Sequence, residues 1–113
     1  MCHLDADEIR RLIAGGETAQ VEFKVAPPRI SDLAARLCGF ANGEGGAVVL
    51  GVADQSWEVI GVADTAAAID ALLQACRQCK PPVRLDPPQP TVTLIDGKVL
   101  VAAHLPPNDG TLH

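Results

Sequence analysis

The sequence has few aromatic residues and few basic ones, and both shortages narrow the functions open to it. Its 113 residues include no tyrosine, two phenylalanines and one tryptophan, so we expect no platform of aromatic rings on which single-stranded bases stack. Nine lysines and arginines stand against fourteen aspartates and glutamates, a net charge of -5. This acidity argues against strong independent DNA binding, which draws on a basic face. It allows a locally basic groove, or an acidic metal site that cleaves nucleic acid.

Long hydrophobic runs are also missing. The apolar stretch from Ala47 to Ala53 is far too short to cross a membrane, and no charged leader followed by an apolar segment opens the chain. We therefore expect a cytoplasmic protein with no membrane partner. In that compartment its four cysteines, Cys2, Cys38, Cys76 and Cys79, are expected to be reduced thiols rather than disulfides.

Periodicity of the apolar residues predicts an α+β fold with three helices and one mixed sheet of about five strands. Residues 1–107 are expected to form one domain, and residues 108–113 an unstructured tail or the start of a linker to a further region. The predicted elements are a helix capped by Asp5 or Asp7 and ending at Gly15, strand 19–25, helix 31–42, strands 47–52 and 57–62, helix 65–79, and strands 91–95 and 98–105.

Local signals refine this outline. Asp96-Gly97 between two alternating runs predicts a two-residue hairpin, and the doubly apolar strand 47–52 should be central in the sheet. A helix connects that strand to strand 19–25, so the two should be parallel. Ser31 and Thr65 are expected to cap their helices, and Trp57 to cover the hairpin core.

The glycine segment after Asn42 is not a phosphate-binding loop, because it follows a helix and precedes a strand. Phosphate loops have the reverse order, with amides at a helix N-terminus. We interpret Asn42 and Gly43 as a left-handed helix cap, and we do not predict nucleotide binding.

Two segments carry the most specific pattern in the chain. The first, from Glu17 to Lys24, reads Glu, four residues, then Glu-Phe-Lys; the second, from Phe40 to Asp54, reads Phe-Ala-Asn, a Gly-Gly turn, and a strand closing in Gly-Val-Ala-Asp. Together they resemble the Schlafen-type, AlbA-like domain family of DNA-binding modules, with the likeness extending over residues 16–107. The resemblance implies a nucleic-acid-binding module, for DNA or structured RNA, within a larger transcriptional regulator.

The resemblance also implies a role for three carboxylates at motif positions: Glu17, Glu22 and Asp54. In the nuclease members of the family, an acidic trio at matching positions supports metal-dependent RNA cleavage. Here the trio would supply both the catalytic groups and the ligands for Mg²⁺ or Mn²⁺, since both ions prefer carboxylate oxygens. The residues alone also fit three solvated acids beside turns. Because the animal nucleases pair two such lobes around a groove, this single lobe is expected to form a homodimer.

Lys24, Arg29 and Arg36 are the candidate nucleic-acid-binding residues. Lys24 shares the polar face of its strand with Glu22, and Arg36 falls on the helix that follows. A Lys24–Glu22 ion pair and a solvated helix face are open alternatives. Cys76-x-x-Cys79 offers half of a zinc site, but we expect buried thiols there and no zinc.

The sequence and the resemblance leave three possible functions. The favoured one is a DNA- or RNA-binding module of a regulator. The alternatives are a metal-dependent ribonuclease of the Schlafen type and a non-catalytic oligomerisation domain. A binding domain is favoured over an enzyme.

Overall fold

The fold consists of helices packed on a mixed β-sheet. A computed structural model describes residues 5–15, 20–53, 55–80, 82–86 and 88–107. The described elements are α1 (Ala6–Gly15), β1 (Val21–Lys24), α2 (Ile30–Asn42), β2 (Gly46–Leu50), α3 (Thr65–Gln78), β3 (Thr91–Ile95) and β4 (Lys98–Leu105). The strands lie in the order β1-β2-β4-β3. The predicted α+β class is confirmed for this part of the chain, with four strands rather than about five.

The sheet contains the two predicted pairings, the parallel pair and the hairpin, and a β2–β4 pairing that the sequence did not predict. β1 and β2 are parallel, with Glu22 opposite Val48, and β2 is antiparallel to β4. β2 is an inner strand because its residues are apolar on both faces and are covered on both. The hairpin of β3 and β4 has the predicted bounds. Its turn residues Asp96 and Gly97 have φ values of 54° and 76°, as a type I′ turn requires.

Alternation of side chains gives the sheet two apolar faces. One face packs against α2 and α3, the other against α1. The first face holds Val48, Leu50, Val101, Ala103 and Leu105, and the second holds Phe23, Val49, Leu100 and Ala102 with Ile9 of α1.

Glu22 and Lys24 lie opposite Val48 and Leu50 of the first face. Their side chains are therefore on the α2 side of the sheet.

The predicted strand 57–62 is wrong. Only a single bridge, between Val52 and Val59, forms there. Trp57 has a φ of 56° and Gly61 a φ of 89°, and residues in the left-handed region interrupt an extended ladder. The Trp57 side chain is also 41% exposed, so the expectation that it covers the hairpin core is wrong as well.

Two of the three predicted helix caps are corrected. Asp5 does cap α1, since its Oδ1 accepts from the Glu8 N–H at 2.9 Å. α3 is capped by Asp64 rather than Thr65: Oδ1 of Asp64 accepts from the Ala67 N–H at 3.0 Å. α2 begins at Ile30, with Arg29 at the N-cap and no side-chain cap, so Ser31 lies inside the helix.

The ends of the chain lie outside the described residues. The predicted tail 108–113 is among them, and the proposed domain boundary at residue 107 stays a prediction. Within the described ranges, every helix falls short of the length and apolar content that a bilayer crossing requires.

Candidate nucleic-acid interface

The turn between α2 and β2 seats the Phe40 ring against the start of the sheet. The N–H groups of Gly43 and Gly45 both donate to the Phe40 carbonyl, at 3.1 and 2.9 Å. A Cβ on Gly46 would lie 2.6 Å from Cδ1 of Phe40 and 2.7 Å from the Gln20 carbonyl oxygen. Such distances are far inside van der Waals contact, so glycine at position 46 is what lets the ring lie on the backbone.

The left-handed residue of this turn is Gly45, with a φ of 82°. Gly43 has a φ of −108°, so the predicted left-handed cap at Asn42 and Gly43 is wrong. A Cβ at Gly45 would overlap the Leu105 carbonyl oxygen. The turn therefore lies against the end of β4. Gly45 allows the positive φ and this close approach, whereas Gly46 makes room for the Phe40 ring.

Arg36 stacks on the ring that this turn fixes. Its Cζ lies 4.6 Å from the Phe40 centroid, within cation–π range. The two residues are four apart in α2, the spacing that puts side chains on the same helix face. That spacing is the sequence signal by which Phe40, not among the predicted site residues, could have been found.

Glu22 of β1 completes the arrangement. Its Oε1 lies 2.9 Å from Nε of Arg36, and its Oε2 lies 3.8 Å from Nζ of Lys24. The Nε of Arg36 is buried, and its N–H is not aimed at an acceptor among the described residues. The short contact with Glu22 is therefore an ion pair without hydrogen-bond geometry. We call Glu22, Lys24, Arg36 and Phe40 the Glu22 cluster.

The cluster joins two cations to one carboxylate. The Glu22 side chain is 16% exposed, whereas Lys24 and Arg36 are 37% and 40% exposed. Such an arrangement can offer the exposed parts of the two cations to an anion while the mostly buried acid holds them in position. The Lys24–Glu22 ion pair, one of the two sequence alternatives for Lys24, is therefore present, and the phosphate contact stays a prediction.

Arg29, also a predicted site residue, is not part of the cluster. Arg29 is 84% exposed and pairs instead with Asp32, its Nε 3.7 Å from Oδ2. Glu17 and Asp54 lie outside the described residues, so their part in the acidic trio stays a prediction. In the described ranges no three His, Cys, Asp or Glu side chains are grouped as a metal would need. Of the predicted trio the structure describes Glu22 alone, so the binding of Mg²⁺ or Mn²⁺ stays a prediction.

A disulfide joins α2 to the end of α3, and sequence reasoning missed it. Cys38 and Cys79, 41 residues apart, are bonded with their Cα atoms 6.0 Å apart. The expectation of reduced thiols is wrong for this pair, because only helix packing brings the two residues together. Cys76 is a buried free thiol. Burial raises its pKa from the ordinary 9.0 to about 11, with Arg77 opposing the shift.

A separate apolar cleft of about 310 Å³ shares no residue with the Glu22 cluster. It opens between α3 and the proline-rich segment before β3, and its lining is Leu73, Cys76, Val83, Arg84, Leu85 and Pro88. Among the described lining residues, Arg84 alone carries a charge at neutral pH. These residues do not form the group of converging polar side chains that marks a site for a polar ligand.

Comparison with known proteins gives one family and one fold. The sequence model of the Schlafen, AlbA_2 family matches residues 17–112, whereas no curated protein matches the chain. The N-terminal domain of a RecG-related protein from Nitrosomonas europaea, named after an ATP-dependent DNA helicase, is similar with a TM-score of 0.58 and 20% identity, over 91% of this chain and 71% of that one. The DIP2311 protein of Corynebacterium diphtheriae is similar with a TM-score of 0.56 and 18% identity, over 92% of this chain and 22% of that one. At these identities the likeness establishes the fold alone, and the chain spans under a quarter of the DIP2311 protein.

Proposed function

This chain belongs to the Schlafen, AlbA_2 family, and we propose that it is a nucleic-acid-binding domain whose Glu22 cluster contacts the phosphate backbone. One observation carries the proposal: Arg36 and Lys24 converge on the mostly buried carboxylate of Glu22 and are themselves partly exposed. The name of the Nitrosomonas neighbour, after a DNA helicase, supports the same class of ligand.

Preorganisation is what the cluster contributes to binding. Arg36 lies on the Phe40 ring and beside Glu22, so its side chain loses little further conformational freedom when it meets a phosphate. Nε of Arg36 is buried, so the exposed 40% of the side chain belongs to its other atoms. We propose that its terminal nitrogens and Nζ of Lys24 contact neighbouring phosphate oxygens, without reading base sequence.

The finer assignments follow from the family resemblance. We propose DNA as the nucleic acid, a place in a transcriptional regulator, and a cytoplasmic location. A single cluster of two cations gives few phosphate contacts, and the net charge of -5 opposes more. Useful affinity then comes from two copies or from a further region of a longer protein.

Binding is tested by fluorescence anisotropy with labelled duplex DNA, single-stranded DNA and tRNA over a series of salt concentrations. Arg36→Ala should weaken binding, and Arg36→Lys should recover part of it by restoring the charge without the planar group. Arg77→Ala removes the same charge from the last turn of α3 and serves as the matched control. The proposal fails if no nucleic acid is retained at low salt, or if the Arg36 and Arg77 variants are equally affected.

Metal-dependent RNA cleavage by Glu17, Glu22 and Asp54 is the second candidate, and Glu22→Gln separates it from simple binding. If the cluster only binds phosphate, Glu22→Gln should retain nucleic-acid binding without Mn²⁺, because Arg36 and Lys24 keep their charges. If Glu22 is a metal ligand, Mn²⁺-dependent cleavage of tRNA should be present in the natural chain and lost in the variant. Equal RNA patterns with and without Mn²⁺ would remove the cleavage candidate. A circular dichroism spectrum checks that the variant is folded.

An assembly role is the third candidate, favoured by the edge of the sheet. β3 is an edge strand, and its Val92 and Leu94 are 49% and 64% exposed. Edge strands with apolar side chains pair readily with another chain. We propose that a homodimer forms through this edge. Leu94→Lys should then give a monomer in analytical ultracentrifugation, while Val25→Lys, which alters a 43% exposed residue outside β3, should not. A chain that is monomeric at every concentration contradicts both this interface and the assembly candidate.

A further inference from the structure

The contact between α2 and α3 contains a pair of sulfur atoms that the proposed function does not use. Cys38 lies in the third turn of α2, and Cys79 directly follows α3. Their Cα atoms are 6.0 Å apart, inside the range that a disulfide spans without backbone movement. Both residues adjoin the core between the sheet and the two helices, so their bond fixes one helix to the other.

We propose that Cys38 and Cys79 form a reversible redox site, which closes by exchange with a low-molecular-weight disulfide and opens by exchange with the matching thiol. The proposal is independent of nucleic-acid binding. It rests on three observations: the surroundings of Cys79, the unequal exposure of the two sulfurs, and the low reactivity of the neighbouring Cys76 thiol.

The surroundings of Cys79 suit a thiol as well as a disulfide. Its Sγ lies 3.4 Å from the carbonyl oxygen of Ala34 and 3.8 Å from that of Ala75. When the bond to Cys38 is opened, the two sulfurs separate to non-bonded contact, and the new S–H of Cys79 has the Ala34 carbonyl as a nearby acceptor. Since Ala34 is in α2, this hydrogen bond still connects the two helices. The fold can therefore hold either redox state with little rearrangement.

Unequal exposure selects the sulfur that reacts first. Cys79 is 2% exposed, whereas Cys38 is only partly buried. In the opening direction, an external thiolate attacks Sγ of Cys38, the Cys38–Cys79 bond breaks, and Cys79 leaves as a thiolate that takes up a proton. A second external thiolate then attacks the external sulfur of the mixed disulfide and releases Cys38. The protein gains two hydrogen atoms and two electrons, and two external thiols become one disulfide.

Cys76 lies close in sequence but does not compete. It is buried, and the high pKa of its thiol, about 11, leaves almost no thiolate at neutral pH, which is the reactive form. The reacting pair is thus the distant one, Cys38 with Cys79, rather than the Cys76-x-x-Cys79 motif. This pairing could not be read from sequence spacing.

The test equilibrates the folded full chain with defined ratios of oxidised to reduced glutathione. Remaining thiols are blocked with an alkylating agent, and the digested chain is read by mass spectrometry. We expect a peptide that links Cys38 to Cys79 to grow with the oxidised fraction and to disappear on return to reduced glutathione, without denaturant. When the first exchange is trapped, the mixed disulfide should be on Cys38.

Variants supply the controls. Cys38→Ser and Cys79→Ser should each abolish the linked peptide, and Cys76→Ser should leave its dependence on the glutathione ratio unchanged. Circular dichroism of each variant confirms that it folds. The proposal is overturned if the disulfide forms with Cys2 or Cys76 instead, or if none forms at any glutathione ratio. It is also overturned if reduced glutathione opens the disulfide only after the chain unfolds, because the bond would then be a permanent structural disulfide.

Discussion

Substitution of Gly46 by alanine tests how the Phe40 ring of the Glu22 cluster is held in place. The added methyl group would lie 2.6 Å from Cδ1 of Phe40 and 2.7 Å from the Gln20 carbonyl oxygen. Phe40 is 4% exposed and the oxygen belongs to the backbone, so neither can move aside freely. Overpacking of this kind costs about 1–3 kcal/mol of unfolding free energy. We expect a loss in that range, and weaker nucleic-acid binding because the ring beneath Arg36 is displaced.

Gly39→Ala is the matched control in the same region. Gly39 lies inside α2, and an added Cβ there meets no atom within 4 Å. Alanine in a helix interior is about 0.5–1 kcal/mol more favourable than glycine, so this variant should be slightly stabilised. Urea unfolding followed by circular dichroism, with a reductant present to keep the disulfide open, measures both variants on one scale.

A double substitution separates the steric overlap with the Phe40 ring from the overlap with the Gln20 carbonyl oxygen. Phe40→Leu makes room for the Gly46→Ala methyl group, so the pair together should cost less than the sum of the single changes, by a coupling within about 0.5–3 kcal/mol. The rescue should be partial, because the Gln20 oxygen stays in place. If Gly46→Ala behaves like Gly39→Ala, or if the two changes are additive, the seating of Phe40 is not what the glycine provides.

Three further outcomes follow from the cysteines. Under oxidising conditions, which close the disulfide in the natural chain, Cys38→Ser should lower the unfolding free energy by up to about 4 kcal/mol, the entropic contribution of a loop of this size. Under reducing conditions the loss of unfolding free energy should be much smaller. Equal losses under both conditions would contradict the assignment of the disulfide. The raised pKa of Cys76 adds stability that is complete below pH 9 and lost as the pH rises towards about 11. The stability difference between the natural chain and Cys76→Ala should narrow across that interval, and a constant difference would contradict the burial argument. Alkylation of the folded, reduced chain should reach Cys38 well before Cys76, which mass spectrometry over time can follow.

Local chemistry made much of the fold predictable. The Asp96-Gly97 turn fixed the bounds of β3 and β4, because few residue pairs adopt two positive φ values without strain. The doubly apolar composition of β2 indicated its inner position. The failures have local causes of another kind. Strand 57–62 has a suitable composition, but Trp57 and Gly61 adopt left-handed conformations that composition does not reveal.

The site was predictable only in part, because its contacts are tertiary. Strand alternation put Glu22 and Lys24 on one face, and the helical position of Arg36 suggested that it would be near them. The Cys38–Cys79 bond depends on how α2 packs against α3, which no local pattern contains, whereas the spacing of Arg36 and Phe40 could have indicated their stack. Glu17 and Asp54 were proposed from the family resemblance, and their part in the site stays a prediction.

The salt dependence of binding tests the central claim most directly. Each phosphate contact releases condensed counterions, so the slope of log affinity against log salt should fall by about one unit when a contacting cation is removed. We expect Arg36→Ala to lower the slope by that amount on the nucleic acid that binds best, and Arg77→Ala to leave it unchanged. An unchanged slope for Arg36→Ala in a folded variant would mean that the Glu22 cluster does not touch the phosphate backbone.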